Sequence, residues 1–200
     1  MGRAKFSRAD YLGAALAIVA EHGPAAVTVA SVGARLGAPT GSFYHRFASR
    51  DVLLGTMWLE TVHEFRQGLR ATLAANDGLA CALHTPAFAR DRPDAARVLL
   101  LHHRDDFVHG EWPEDLRHGV ATMAEQMLAE RDDFARKIFG RTGAEEARLA
   151  QFLLAEVPLA AIRQHLLRGE APGALVDRLI RITYRAVVAD YHRRKRAEPQ

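Results

Sequence analysis

The chain has 200 residues, a formal net charge of +3, 48% hydrophobic residues and 26% charged residues. That length and apolar content support a folded protein of one or two small domains and exclude bulk disorder. A lone Cys81 excludes an internal disulfide and a cysteine-cluster zinc site, and the absence of a leader-like or membrane-spanning apolar run makes a cytoplasmic protein the expectation.

Sustained apolar/polar alternation is missing, while alanine, leucine, arginine and glutamate dominate, so the sequence predicts an all-α chain of about nine helices. The first helix runs from Arg8 to His22. Ser7 is its N-cap, Asp10 completes a capping box, and Gly23-Pro24 stops it. Leu12, Ala15, Leu16 and Val19 fall on one face of it. Thr28 caps a second, short helix that ends near Leu36-Gly37, and Pro39 opens a third through His45. Ser49 caps a fourth, with a stripe of Leu54, Trp58, Thr61, Phe65 and Leu69 leading toward Ala75 and a break at Asn76-Asp77-Gly78. Further helices are predicted near 79–90, 93–108, 113–139, 143–168 and 174–195, with a kink at Pro158.

Three short helices in the first 50 residues, with a glycine in the middle turn, form a helix-turn-helix pattern. In the third, Gly41 lets backbone approach DNA closely, and Thr40, Ser42, Tyr44 and His45 supply hydrogen-bonding tips. Phe43 and Phe47 anchor that helix to its neighbours. The stretch Thr28-Val29-Ala30-Ser31-Val32-Gly33-Ala34-Arg35-Leu36-Gly37, followed by Gly41-Ser42-Phe43-Tyr44-His45-Arg46-Phe47 and Ser49-Arg50-Asp51-Val52-Leu53-Leu54, resembles the TetR family of transcriptional regulators. The resemblance covers about the first 55 residues. It implies a DNA-binding domain over 1–55 and a ligand-binding and dimerisation domain over 56–200. It also implies that Thr28 caps the second helix and touches phosphate, and that Thr40, Ser42 and His45 reach base edges or nearby phosphates. Tyr44 and Arg50 are then backbone contacts, while Arg3, Lys5 and Arg8 add a basic arm. Two positions depart from the family pattern: Gly33 stands where alanine is preferred, and Pro39 where a capping serine is common.

The resemblance further implies a homodimer on a palindromic operator in double-stranded DNA, paired through the last two long helices, and a repressor released by a small-molecule effector. Candidate effector-lining residues are Trp58, Phe65, Phe88, His103, Phe107, Trp112, Met123, Met127 and Phe152, with packing in the core as the plainer reading of the aromatics and methionines. Such a lining suits a lipophilic or aromatic molecule with one polar group. No cofactor, metal or membrane is expected. A second reading, from another class, is a helical enzyme or carrier using His102, His103 and Asp106. The basic run Arg193-Arg194-Lys195-Arg196 reads as a solvated helix end or as a further nucleic-acid contact. Residues 1–55 hold six basic and three acidic side chains, so the whole +3 sits in the helix-turn-helix segment and the remainder is neutral.

Overall fold

A computed structural model describes residues 6–107 and 112–197. Ten helical segments follow in order: α1 (Arg8–His22), α2 (Val29–Leu36), α3 (Thr40–Tyr44), α4 (Arg50–Ala74), α5 (Gly78–Asp91), α6 (Pro93–Leu101), α7 (Glu114–Phe139), α8 (Ala144–Gln151), α9 (Val157–Arg168) and α10 (Ala174–Ala197). A π-helical turn, Phe152–Glu156, joins α8 to α9 without a break, so the described residues form nine helices and no strand. None of the described helices is long and apolar enough to cross a membrane.

Local chemistry sets the ends. The Asp10 backbone N–H donates to Ser7 Oγ (3.2 Å) while the Ser7 N–H donates to the Asp10 carboxylate (2.6 Å), closing the capping box of α1. Asp77 caps α5 by accepting from the Ala80 N–H at 2.8 Å. Near Pro158 the helix passes through a π-helical turn. Proline has no N–H to offer the carbonyl one turn back and its ring crowds that carbonyl, so the helix widens over Phe152–Glu156 and then resumes. The predicted helix over 93–108 is corrected: α6 ends at Leu101. His103 turns extended, with ψ 150°, and its N–H donates to the Asp106 carboxylate (2.8 Å), capping a separate 3₁₀ turn over Arg104–Asp106. His109 and Gly110 lie outside the described residues.

The chain divides into two compact units, Met1–His63 with Asp94–Ala121, and Glu64–Pro93 with Thr122–Gln200. The first takes in the start of α4 and most of α6. Met57, Trp58 and Val62 of α4, and Ala95, Ala96 and Val98 of α6, are buried members of that unit. Its aromatic centre is Tyr11, Phe43 and Phe47. The second unit is centred on Leu73, Cys81, Phe134, Phe139, Leu153 and Tyr191.

One buried contact fastens α10 to the start of α8. The Tyr191 hydroxyl donates to Glu146 Oε1 (2.6 Å), and Glu146 Oε2 accepts from the Gly143 N–H (2.9 Å). Both side chains are buried. The Tyr191 hydrogen bond holds the Glu146 carboxyl below the usual carboxylate range, against the opposing effect of burial. Burial and the neighbouring carboxylate push Tyr191 up to about 12. A carboxyl depressed on folding stabilises the fold above its unfolded value and loses that contribution as pH falls through its folded one. The urea midpoint of the parent should therefore exceed that of Glu146→Gln most at neutral pH, and the gap should narrow as pH drops below about 4.5. A gap that is constant across that range would contradict the assignment.

Candidate nucleic-acid interface

The helix-turn-helix is assembled from α2, its turn and α3. Thr28 Oγ1 accepts from the Ser31 N–H (2.9 Å) and Ser31 Oγ from the Thr28 N–H (2.8 Å), so α2 opens on a reciprocal cap. Gly37 closes it at φ +64°, a conformation that disfavours residues with a Cβ. The turn then folds back so tightly that the Ala38 N–H donates to the Gly33 carbonyl at 2.9 Å. A Cβ at Gly33 would lie 3.2 Å from the Ala38 carbonyl oxygen. Glycine at this departure from the family pattern fits the close approach. Pro39 stands just outside α3 at the N-cap, with no side-chain cap bond, rather than inside its first turn.

Five residues are too few to hold a helix by hydrogen bonding alone. Tertiary packing fixes α3 instead. Phe43 is buried, with its ring centroid 5.9 Å from those of both Tyr11 and Phe47. The Tyr11 hydroxyl hydrogen-bonds with Ser42 Oγ, which also donates to the Pro39 carbonyl (2.7 Å). Arg46 lies over the Tyr11 ring and donates to the Ser42 carbonyl (2.9 Å) and the Phe6 carbonyl. Tyr11 and Arg46 were not among the sequence candidates. Tyr11 shares a helical row with Ala15 and Ile18, and a stripe centred there would have shown it.

The positions that remain outward are Thr40, Gly41, Tyr44 and His45, at i, i+3 and i+4 spacings on neighbouring rows. Tyr44 is 60% exposed with its ring edge-on to buried Phe43. Nothing lies within 4 Å of where a Gly41 Cβ would stand, so that position is open to an approaching surface. Thr28 is exposed at the start of α2. Ser42 differs from the expectation, because its hydroxyl is turned inward to Tyr11. Arg50 differs more. Its Nε donates to the Val27 carbonyl (2.6 Å), Nη2 to the Pro24 carbonyl (2.8 Å) and Nη1 to Asp51 (3.0 Å). The guanidinium is a pin for the turn between α1 and α2. Arg35 forks onto Glu21 at 2.8 and 2.6 Å, and Arg8 lies over the Phe47 ring. Arg3 and Lys5 lie outside the described residues.

A short helix held by one buried aromatic against two braces, with its polar face bare, is the reading head of a helix-turn-helix DNA-binding protein. Residues 12–57 match the family of bacterial regulatory proteins described as the tetR family. That match covers the head, which is a TetR-type DNA-binding segment, and it supports a DNA-binding transcriptional regulator. No curated protein matches the chain.

The expected effector-lining residues fall into separate groups. In the first unit, Trp58 stacks on Phe107 at 6.4 Å, and Trp112 lies so close to α4 that a Cβ at Gly55 would meet its ring at 2.3 Å. The Trp112 indole nitrogen is buried and has no hydrogen-bond partner among the described residues. His103 is exposed; His102 is the half-buried member of the pair, edge-on to Phe107 at 6.0 Å. In the second unit, Phe65 and Phe88 meet edge to face at 5.2 Å, with His84 against both and its Nε2 2.7 Å from the Phe65 carbonyl. Burial holds the His84 imidazole below its ordinary range. Met123 is buried, Met127 is exposed, and Phe152 packs at the edge of the Leu153 core beneath Arg148. The basic run at the end of α10 is tied down by carboxylates: Arg193 and Arg194 bind Asp190, while Arg194 and Lys195 bind Glu145. Asp106, part of the alternative catalytic segment, is spent on capping the His103 turn.

Proposed function

We propose that the protein is a cytoplasmic, dimeric repressor with a head over 1–55 and a sensing and dimerising body over 56–200, released from a palindromic operator by a small-molecule effector. The observation that carries the dimer is an apolar stripe with no cover. Leu175, Leu179 and Ile182 of α10 recur at i, i+4 and i+7, and each is more than half exposed, as is Leu167 near the end of α9. Leucines at that spacing on a surface favour burial against a like surface, and two copies of α9 and α10 make a four-helix seam. A dimer then presents two copies of α3 to two half-sites.

Thr40, Gly41, Tyr44 and His45 face the DNA in this reading, with Thr28 on a phosphate. Ser42 and Arg50 act by positioning α3 and the turn before α2. The effector acts by favouring an arrangement with wrongly spaced recognition helices, and α4 carries the change between head and body. An effector that prefers that arrangement about 100-fold per site shifts the equilibrium by roughly 2.7 kcal/mol.

Light scattering on the purified chain should give twice the monomer mass. Leu179→Arg should give the monomer with its helical circular dichroism intact, because that side chain is exposed within the chain. A dimeric Leu179→Arg protein would place the interface elsewhere. Addition of the parent protein to in vitro transcription from a promoter it binds should lower transcript yield; a rise would make it an activator.

A further inference from the structure

An open groove of about 380 Å³ runs between α4 and α7 in the second unit, lined by none of the residues expected to line an effector site. Its floor and walls are Leu73, Ala74 and Ala129. At one end two guanidinium groups share one carboxylate. Arg66, almost fully buried, forks onto Glu130 at 3.1 and 2.6 Å and donates to Gln126 Oε1 at 2.9 Å. Arg70 donates to the same Glu130 oxygen at 2.5 Å and the same Gln126 oxygen at 3.0 Å. The far end is neutral: Lys137 binds Asp133 at 2.9 Å and the Leu73 carbonyl at 2.8 Å.

The charge balance at the first end is uneven. Two cations face one anion and a neutral amide, which leaves one positive charge in excess. Arg66 is sealed in, so the excess is accessible at Arg70, which is 41% exposed and whose Nη1 makes no hydrogen bond among the described residues. An arginine fork matches a planar carboxylate in two parallel hydrogen bonds. One excess charge matches a monoanion; a phosphate dianion would overshoot it and crowd Glu130. The apolar walls call for a tail. Glu130 and Lys137 are seven residues apart on α7, about 10 Å of helix, which sets the length of that tail.

We propose that this groove binds a medium-chain monocarboxylate, with its carboxylate on Arg70 and its tail along Leu73, Ala74 and Ala129. The site deepens the effector reading above and rests on it only for the consequence at DNA; binding itself is measured without DNA.

Calorimetric titration of the full chain with octanoate, octanol, octylammonium and acetate tests it. Octanoate should bind at least about tenfold more tightly than octanol and acetate, and octylammonium should not bind. Arg70→Gln should abolish the preference for octanoate over octanol. Ala129→Leu fills the wall and keeps the Arg66–Glu130 pair, so it should weaken octanoate about tenfold or more with unchanged melting, and it decides the matter if Arg70→Gln folds poorly. Equal binding of octanoate and octanol, no octanoate binding, or parent-like binding by folded Ala129→Leu would each overturn the site. Failure of the protein to bind any duplex would overturn the regulator and leave this groove standing.

Discussion

Phe43→Ala should remove about 3–5 kcal/mol from the stability of the head and abolish DNA binding, although the side chain faces away from DNA. The ring is 1% exposed and meets Tyr11 and Phe47. It supplies most of the apolar grip on a helix only five residues long. Truncation leaves a cavity beside Tyr11 of α1 and Phe47, and α3 has too few internal hydrogen bonds to keep its place. Urea denaturation of the purified variant should show a lower midpoint, and binding should fail even where the second unit stays helical. A Phe43→Ala protein that melts and binds like the parent would show that α3 is held by something other than this aromatic centre.

Arg50→Lys should be nearly as damaging to the turn, at about 1.5–3 kcal/mol, despite keeping the charge. The arginine spans the Val27 and Pro24 carbonyls with two different nitrogens while a third meets Asp51. An ammonium is a single point and cannot reach both carbonyls in that geometry. The two roles open to this residue make opposite predictions. A phosphate contact tolerates lysine, because phosphate accepts any nearby cation. A turn pin does not. A lower melting temperature for the head, with binding restored on cooling, is the expected result; parent-like stability with parent-like binding would return Arg50 to the phosphate backbone.

Capping and turn chemistry made the reading head legible before any coordinates. Ser7 with Asp10, Thr28 with Ser31, Gly37 and Ser49 are local signals, each acting within a few residues, and α1 to α4 begin and end within a residue or so of where those signals put them. The internal partners of Arg50 were not legible, because the Pro24 and Val27 carbonyls are backbone atoms more than twenty residues away and leave no mark in a side-chain pattern. The partner of Ser42 was hidden in the same way: its hydroxyl meets Tyr11, 31 residues earlier. The early end of α6 follows from His103 and Asp106, a capping pair three apart that the sequence does contain but that the apolar run before it obscured. The grouping of the aromatic side chains was the least legible feature. Aromatic composition finds buried side chains, but which unit each one joins is decided by long-range packing, and His84, Arg66 and Glu130 carry no motif.

The bare face of α3 is the centre of the account, and one measurement bears on it most directly. Fluorescence polarisation with labelled duplexes tiling the DNA that flanks the gene, at low and moderate salt, compares the parent with Tyr44→Ala. Tyr44 is exposed, so Tyr44→Ala should leave the fold and the oligomeric state unchanged. The parent should bind one duplex tightly, with an affinity that falls steeply as salt rises, and Tyr44→Ala should lose about tenfold or more. A parent that binds no duplex, or a Tyr44→Ala protein that binds as tightly as the parent, would contradict the assignment of α3 as the surface that meets DNA.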